Sequence, residues 1–239
     1  NEAGANLLNG IASSIIANIN LTGRLSFDVA IFEVDERNVE LALKEIHPYV
    51  ILFLNIFRDQ LDRYGEVNQV LKDWKNALSM VKNSILFTNG DDPALKYLSK
   101  NLKLKTFLFG VNEKFMPEKS TGHDVDFTYC PNCQTKLIYK KVSFSHMGDF
   151  ECPKCKFKRE NVEEIKITHY PLPGTYNIYN ANAAALVASK SFVIPLKKIQ
   201  EALKNFRPAF GRQEIIKYKG RNVIILLSKN PAGFNQTIS

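Results

Sequence analysis

Four cysteines have the spacing of a metal site. Cys130-Pro131-Asn132-Cys133 and Cys152-Pro153-Lys154-Cys155 are two C-x2-C pairs separated by 18 residues. This spacing is typical of a four-thiolate centre in which each pair forms a tight knuckle. Four sulfur ligands leave no open coordination position, so the predicted role is structural, a zinc ribbon held by Cys130, Cys133, Cys152 and Cys155. A redox iron site uses the same ligands, whereas disulfides are disfavoured because no export signal and no further cysteine is present.

The segment that holds the cysteines is strongly basic. Residues 130–159 contain seven lysines and arginines against two acidic residues, in a chain of net charge +8. Such a surface suits anionic partners, including nucleic acid, phosphorylated substrates and an acidic membrane face, and charge alone does not choose among them. His123 and His146 are predicted to be solvated loop residues, because four cysteines already complete a ligand set.

Acidic residues lie at the end of the first predicted strand, residues 28–34. Glu33 continues this otherwise apolar strand at the carboxyl edge, where open α/β sheets bind ligands. A carboxylate there is a suitable ligand for Mg²⁺, which combines a few protein oxygens with phosphates and waters. Asp35 and Glu36 are instead expected to cap the next helix and to complement its dipole.

Amides and cations recur at later turns of the chain. Asn177 and Asn180 are three positions apart on a predicted helix rich in small residues, so they share a face on which amides could read a purine edge. Asn177 is equally compatible with a helix N-cap. Arg212 and Lys229 each stand in a glycine-containing turn beside a strand, and such turns either bind phosphates or form ordinary basic surface.

Strand-length apolar runs alternate with amphipathic helical patterns, and these elements must position the side chains above. Strands are predicted at residues 28–34, 49–54, 84–89, 105–109 and 222–227, and helices at residues 5–19, 38–46, 67–81, 93–99, 178–190 and 196–206. Four of these strands lack clean alternation, and the first two are predicted to be buried on both faces, which is typical of parallel strands covered by helices. The predicted fold class is therefore α/β with a mostly parallel, doubly wound sheet. The last strand is expected to form a hairpin with residues 213–218 through a turn at 219–222.

The alternation of strands and helices stops between residues 112 and 168. That stretch has no long apolar element and contains all four cysteines, so we expect an insertion with its own small fold. The expected organisation is a first part of the α/β domain at 1–111, the zinc ribbon within 112–168, and a second part at 169–239. With 45% hydrophobic and 23% charged residues, the composition is that of a folded chain. Its longest apolar run is too short to span a bilayer, so a cytoplasmic location is expected.

Taken in order, several segments resemble the central, ATP-binding domain of the Mur ligases. They are residues 1–10, 32–36, 55–66, 89–93, 173–185, 210–214 and 228–235. The cysteine ribbon, together with Arg-Asp-Gln-Leu-Asp-Arg-Tyr-Gly-Glu and Ser-Lys-Asn-Pro-Ala-Gly-Phe-Asn, resembles the MurT family, the ligase subunits of lipid II isoglutaminyl synthase. The resemblance implies an ATP-dependent carbon–nitrogen ligase. In that reaction ATP phosphorylates the α-carboxyl of D-glutamate in the lipid II stem peptide, and ammonia from a GatD-type glutaminase subunit converts the acyl phosphate to D-isoglutamine.

The same resemblance implies roles for individual residues and cofactors. Glu33 would bind Mg²⁺ and be essential for catalysis. Asn180 would contact adenine, with Asn177 beside it. Arg212 would contact the nucleotide, and Lys229 would contact a phosphate. ATP, Mg²⁺ and a structural Zn²⁺ are the implied cofactors. The lipid II substrate implies a peripheral position at the inner face of the membrane, without a membrane-spanning segment.

The chain departs from the family pattern in several places. No G-x-x-x-x-G-K-[ST] phosphate loop occurs, and the sequence stops soon after the Ser-Lys-Asn-Pro turn. We therefore expect a truncated chain, inactive alone, that lacks the upstream loop and the C-terminal ligase domain. Gln60 stands where many Mur ligases have a metal-binding His, and Trp74, with Lys75 adjacent, where several have a carbamoylated Lys. Leu227 replaces an Asp that often holds the ribose.

Two other functions stay open at this point. The basic segment is also compatible with a zinc-ribbon nucleic-acid-binding protein, whose affinity would fall steeply with salt. A further possibility is a folded docking module without activity of its own.

Overall fold

In the part of the chain that the structure describes, a three-stranded parallel sheet lies at the centre of the fold. The computed structural model describes residues 7–25, 27–57, 66–100, 102–116, 127–207 and 214–225. The sheet consists of β1 (Val50–Phe53), β2 (Ile85–Asn89) and β3 (Lys105–Phe109), in that spatial order. Val50 pairs with Ile85, which in turn pairs with Lys105. The predicted α/β fold with a parallel sheet is confirmed, and these three strands match three of the predicted ones.

Helices cover both faces of this sheet. Those described are α1 (Leu8–Ala17), α2 (Val39–Glu45), α3 (Glu66–Met80), α4 (Pro93–Ser99), α5 (Thr175–Phe192) and α6 (Leu196–Lys204), each overlapping a predicted helix. α2, α3 and α4 pack on one face, and α5 packs on the other. None of the helices in the described ranges is long and apolar enough to cross a membrane.

β2 is the centre of the core, because its side chains alternate between two hydrophobic clusters. Leu86 packs with Phe53, Trp74 and the helices of one face. Phe87 points the other way and packs with Phe109 and α5. Leu86 and Phe87 are fully buried, and burial of a side chain of this size stabilises a fold by about 1.5–3 kcal/mol. The burial of both faces explains why β2 begins with three consecutive apolar residues, Ile85, Leu86 and Phe87.

Residues 28–34 do not form the predicted strand. Val29 is 51% exposed and Ile31 is 92% exposed, so this segment is not buried on both faces. A strand requires a hydrogen-bonded neighbour, and the described part of the chain provides none alongside this segment. The end of the segment behaves as predicted, because Asp35 accepts a hydrogen bond from the Arg37 amide and caps the 3₁₀ turn Glu36–Asn38.

Two antiparallel hairpins accompany the parallel sheet within the described ranges. β4 (Ile138–Phe144) pairs with β5 (Met147–Glu151) in the cysteine-containing stretch. β6 (Glu214–Tyr218) pairs with β7 (Arg221–Ile225), which confirms the predicted late hairpin. Its turn is shorter than predicted, because Lys219 and Gly220, with φ of 48° and 75°, form a two-residue connection of the type that favours positive φ.

Candidate metal centre and sheet-edge site

The four cysteines converge on one point. Their sulfur atoms all lie within 4.8 Å of one another. The Sγ atoms of Cys130 and Cys155 are 3.6 Å apart, and those of Cys133 and Cys152 are 3.5 Å apart. A tetrahedral zinc ion with Zn–S bonds of about 2.3 Å places its sulfurs about 3.8 Å apart, whereas a disulfide requires about 2 Å. The donor set and its geometry therefore fit a metal ion held by four thiolates.

The two knuckles have the same backbone geometry. In each, the fourth residue after the first cysteine donates its amide to that cysteine's carbonyl, Gln134 to Cys130 at 2.8 Å and Lys156 to Cys152 at 3.1 Å. Gln134 and Lys156 both lie in the left-handed region, with φ of 58° and 59°. These local bonds turn the chain back on itself, so each C-x2-C pair presents both sulfurs to the same side.

The thiols differ in their electrostatic surroundings. Burial raises the pKa of Cys130 to about 12. A hydrogen bond from the Asn132 side chain lowers the pKa of Cys155 to about 6, and Thr135 similarly lowers the pKa of Cys133. Metals bind the thiolate form, and a cation offsets the cost of keeping the buried Cys130 deprotonated.

The tip of the β4–β5 hairpin reaches the carboxyl edge of the parallel sheet. The Gly148 amide donates to the Asp91 carbonyl at 2.9 Å, and the Asn89 side-chain nitrogen lies 3.2 Å from the Met147 sulfur. Met147 is fully buried in the cluster that also contains Phe87. The cysteine module is therefore joined to the sheet edge through shared core residues and hydrogen bonds.

Asp91 is a fully buried carboxylate just beyond β2. Its Oδ1 accepts a hydrogen bond from Arg159 Nε at 2.6 Å. Its Oδ2 accepts from the Tyr179 hydroxyl at 2.7 Å and from the Val111 amide at 2.9 Å. Burial raises the pKa of Asp91, while the Arg159 guanidinium opposes that rise. This carboxylate connects the ends of β2 and β3 with α5 and with the segment that follows the cysteines.

The neighbouring carboxylate, Asp92, joins a helix to a strand end. Its Oδ1 accepts from the Ala94 amide at 2.9 Å and caps α4. Its Oδ2 accepts from the Ile56 amide at 3.2 Å, three residues beyond β1. An aspartate before a proline at a helix start is a readable N-cap signal, but the bond to Ile56 joins residues 36 positions apart.

His146 lies at the hairpin tip and is fully buried. Its ring stands between Phe57 and Phe127, with centroid distances of 5.0 Å and 5.1 Å. Its Nε2 is 3.3 Å from Asp92 Oδ2, yet the orientation does not make a hydrogen bond. The prediction of a solvated His146 is wrong, because aromatic residues from distant segments cover it; His123 lies outside the described residues.

The residues predicted to bind nucleotide are described only in part. Glu33 is exposed in the irregular segment before the 3₁₀ turn. Asn180 is exposed on α5, whereas Asn177, one turn earlier, is buried and donates from its side chain to the Pro173 carbonyl at 2.6 Å. The N-cap of α5 is Gly174, so Asn177 supports the helix start from within its first turn. The positions of Arg212 and Lys229 lie outside the described residues, as do Gln60 and Leu227.

Trp74 occupies a packing position on α3. It is 3% exposed and stacks on Phe53 with ring centroids 4.3 Å apart. Its indole N–H donates to the Glu36 carbonyl at 2.7 Å, which ties α3 to the acidic segment. The adjacent Lys75 places its ammonium 5.0 Å from the centre of the Tyr97 ring.

Sequence reasoning missed the roles of Asp91, Arg159 and Tyr179. Arg159 and Tyr179 bond to Asp91 across 68 and 88 positions of the chain. No local spacing pattern reports such contacts. The only available signal was the density of polar residues directly after β2.

Comparison with known proteins identifies a family pattern over most of the chain. The sequence pattern of the Mur ligase middle domain matches residues 14–188. The MurT subunit of lipid II isoglutaminyl synthase (glutamine-hydrolyzing) from Streptococcus pneumoniae is 28% identical over 257 aligned residues, covering 100% of this chain and 56% of that protein. The MurT subunit from Staphylococcus aureus has the same identity and coverage. The chain thus spans just over half the length of these curated relatives.

More distant similarity extends to other ligases. The UDP-N-acetylmuramate–L-alanine ligase of Caldanaerobacter subterraneus is 23% identical, over 81% of this chain and 37% of that protein. Among solved structures, a pseudomurein peptide ligase type C from Methanothermus fervidus superposes with a TM-score of 0.63 at 27% identity. That match covers 85% of this chain and 44% of the other.

Proposed function

The chain belongs to the Mur ligase middle domain family, and from that premise we propose that it is the ATP-binding part of the ligase subunit of a lipid II isoglutaminyl synthase. The observation that carries this proposal is the extent of the similarity to MurT. The MurT matches cover 100% of the chain, including the cysteine segment, whereas the match to the L-alanine ligase covers 81%. The partner in this proposal is a GatD-type glutaminase.

The proposed reaction forms an amide in two steps. The α-carboxylate of D-glutamate in the lipid II stem peptide attacks the γ-phosphate of ATP, which releases ADP and gives an acyl phosphate. Ammonia from the glutaminase then displaces phosphate and leaves D-isoglutamine. The transferring phosphoryl group carries negative charge, so such a site requires metal ions and cations more than a protein nucleophile.

We assign the nucleotide contacts to the four residues and the metal ligand that the family resemblance implies. Glu33 would bind Mg²⁺, and its exposure leaves room for the phosphates and waters that complete the coordination of this ion. The exposed amide of Asn180 would contact adenine, and the buried Asn177 would support the helix start beside it. Arg212 and Lys229 would contact the nucleotide and its phosphates.

We assign a structural zinc ion to the four cysteines. Cys130, Cys133, Cys152 and Cys155 would hold it without an open position, so the ion would stabilise the module and take no part in amide formation. The resulting organisation places this module, within residues 112–168, between a first part of the ligase domain at 1–111 and a second part at 169–239. A lipid-linked substrate would bring the enzyme to the inner face of the membrane.

The test is amidation by the whole ligase subunit together with its glutaminase. Lipid II, ATP and glutamine should give ADP and a carboxamide in place of the glutamate α-carboxylate, detected by mass spectrometry. Glu33→Gln should lower the rate by about a hundredfold or more, because it removes a charge that binds metal at the transferring phosphate. Glu45→Gln is the matched control, since Glu45 is an exposed glutamate at the end of α2. Full amidation by Glu33→Gln would contradict the role of Glu33, and no amidation by the unsubstituted complex would contradict the function.

A second candidate is a peptide ligase of the pseudomurein type. It is supported by the likeness to the solved ligase, which has the same level of identity as the MurT proteins. The two candidates differ in the nucleophile that attacks the acyl phosphate, which is ammonia in one and the amine of an amino acid in the other. An assay that contains the ligase subunit, ATP and free amino acids, but no glutaminase, distinguishes the two candidates. Only a peptide ligase would form product under these conditions.

A further inference from the structure

One face of the cysteine module is both exposed and basic. Tyr129 forms a bridge with Lys136, and Ile138 lies opposite Glu151, which in turn forms a bridge with Lys158. Paired residues, and residues two apart on one strand, project from the same face of a sheet. Lys140 joins them, since its ammonium lies 3.5 Å from the Glu151 carboxylate. We call this set the basic face: Tyr129, Lys136, Ile138, Lys140, Glu151 and Lys158.

The opposite face of the same hairpin is the module's own core. Tyr139, Phe150 and Phe157 pack there with the metal-binding cysteines. On the basic face, by contrast, Tyr129 is 57% exposed and Ile138 is 56% exposed. The module therefore buries one side of its small sheet and leaves a mixed apolar and basic side uncovered.

The basic face has an excess of positive charge. Glu151 is paired with Lys140. Neither Lys136 nor Lys158 has an acidic partner among the residues that the structure describes, and both are exposed. The second knuckle adds two more exposed lysines, Lys154 and Lys156.

We propose that the basic face docks the protein on anionic phospholipid bilayers. Lysines place their ammonium groups near lipid phosphates while their aliphatic stems lie along apolar surface. A tyrosine suits the headgroup boundary, and an aliphatic residue such as Ile138 enters the adjoining acyl region.

Two features favour a membrane over nucleic acid as the partner. The face carries an exposed isoleucine, which has no role at a phosphate backbone. It also lacks arginine, the side chain that pairs with phosphates and stacks on bases, since Arg159 turns inward to Asp91. The choice of a membrane rests in addition on the proposed function, because lipid II is presented at such a surface.

The experiment is co-sedimentation of the zinc-loaded whole protein with vesicles of phosphatidylcholine, with and without phosphatidylglycerol. Each lysine near an anionic surface strengthens binding by about fivefold. The combined variant Lys136→Gln, Lys140→Gln and Lys158→Gln should therefore bind phosphatidylglycerol vesicles about a hundredfold more weakly. Ile138→Ser should weaken binding by about tenfold.

The matched control removes the same charge elsewhere. Lys197, Lys198 and Lys204 are exposed on α6, outside the basic face. Their combined replacement by glutamine should leave vesicle binding within about twofold of the unsubstituted protein. Zinc content and the thermal unfolding midpoint, measured for both triple variants, should be unchanged because all six lysines are exposed.

Three results would overturn the proposal: no phosphatidylglycerol-dependent binding, equal losses in the two triple variants, or retention of random-sequence DNA or RNA without retention of vesicles. The last result would assign the face to nucleic acid. Amidation of a lipid-free, water-soluble substrate analogue separates this proposal from the function. Amidation without vesicle binding removes the docking alone, whereas vesicle binding without amidation removes the function alone.

Discussion

At the scale of single residues, buried polar groups hold the carboxyl edge of the sheet together. Asp91 has three donors around its carboxylate, from Val111, Arg159 and Tyr179, and no exposure to solvent. A buried ion pair is a poor source of stability compared with apolar packing, but removing one partner leaves an uncompensated charge or an unpaired donor. The side chains around Asp91 are therefore expected to be intolerant of substitution.

Asp91→Asn should lower the free energy of unfolding by about 3–5 kcal/mol. The NH₂ group of the new side chain would face hydrogen-bond donors that now bond to the Asp91 carboxylate. The charge of Arg159, whose side chain is only 12% exposed, would lose its partner. Urea denaturation measures the change. Glu40→Gln, which breaks the exposed pair with Lys44, is the control and should cost less than about 1 kcal/mol. Similar small losses for both variants would contradict the importance of the buried network.

The buried Tyr179 and the partly buried Tyr139 predict a loss of stability in alkali. Burial raises the pKa of Tyr139 and of Tyr179, so both phenols stay protonated in the folded chain when an unfolded tyrosine ionises, at about pH 10. Above that pH the unfolded state binds fewer protons than the folded state, and stability falls as pH rises. The slope should approach about 1.4 kcal/mol per pH unit for each tyrosine.

Urea midpoints measured between about pH 9 and pH 11 test this slope. Tyr139→Phe should remove the contribution of Tyr139 and make the decline shallower, although it also removes the hydrogen bond from Tyr139 to the Phe127 carbonyl, 2.9 Å long. An unchanged slope in the variant would show that Tyr139 does not titrate on unfolding.

At the scale of elements, the β4–β5 hairpin links two hydrophobic clusters. Phe150 near its base belongs to the cluster around the cysteines, while Phe144 and Met147 near its tip belong to the cluster between the parallel sheet and α5. The hairpin thus connects the cysteine module with the carboxyl edge of the sheet.

The tightest point of this hairpin is Gly148. A Cβ there would overlap the Lys141 carbonyl oxygen and lie 2.9 Å from the Val142 Cα, both backbone atoms of the paired strand. Gly148→Ala should therefore destabilise the protein by about 1–3 kcal/mol and speed amide exchange in β4 and β5. Gly90→Ala is the comparison, since its nearest contact is a Val162 methyl at 2.9 Å, which is able to rotate away. An equal or smaller effect at Gly148 would contradict a tightly paired hairpin.

At the scale of the whole molecule, the cysteine module and the sheet are expected to behave as a coupled system. Phe157 contacts Tyr97 of α4 with ring centroids 6.3 Å apart. Lys96 of α4 pairs with Glu160 at 2.8 Å. The Gly148 amide also bonds to the Asp91 carbonyl. We therefore expect that unfolding of the module would also loosen α4 and the end of β2.

Removing the metal with a chelator should therefore raise hydrogen exchange beyond the cysteines. We expect loss of protection in β4, β5 and α4, with β1 and α2 little changed because they pack on α3 and do not contact the knuckles. Cys152→Ala should reproduce the effect, and added zinc should reverse it only in the unsubstituted protein. Exchange confined to the knuckles would contradict the coupling.

Much of this protein is determined locally by its sequence. Short apolar runs specified β1, β2 and β3, helical periodicity located all six described helices, and the two C-x2-C pairs predicted that four cysteine sulfurs cluster, because these signals depend on neighbours within a few turns. Burial and pairing depend on residues far apart in the chain. Only the tertiary structure decided that Glu33 is exposed outside any strand, that His146 is enclosed by Phe57 and Phe127, and that Asp91 meets Arg159. An apolar segment becomes a strand, and a histidine becomes a core residue, only when the fold places a partner beside it.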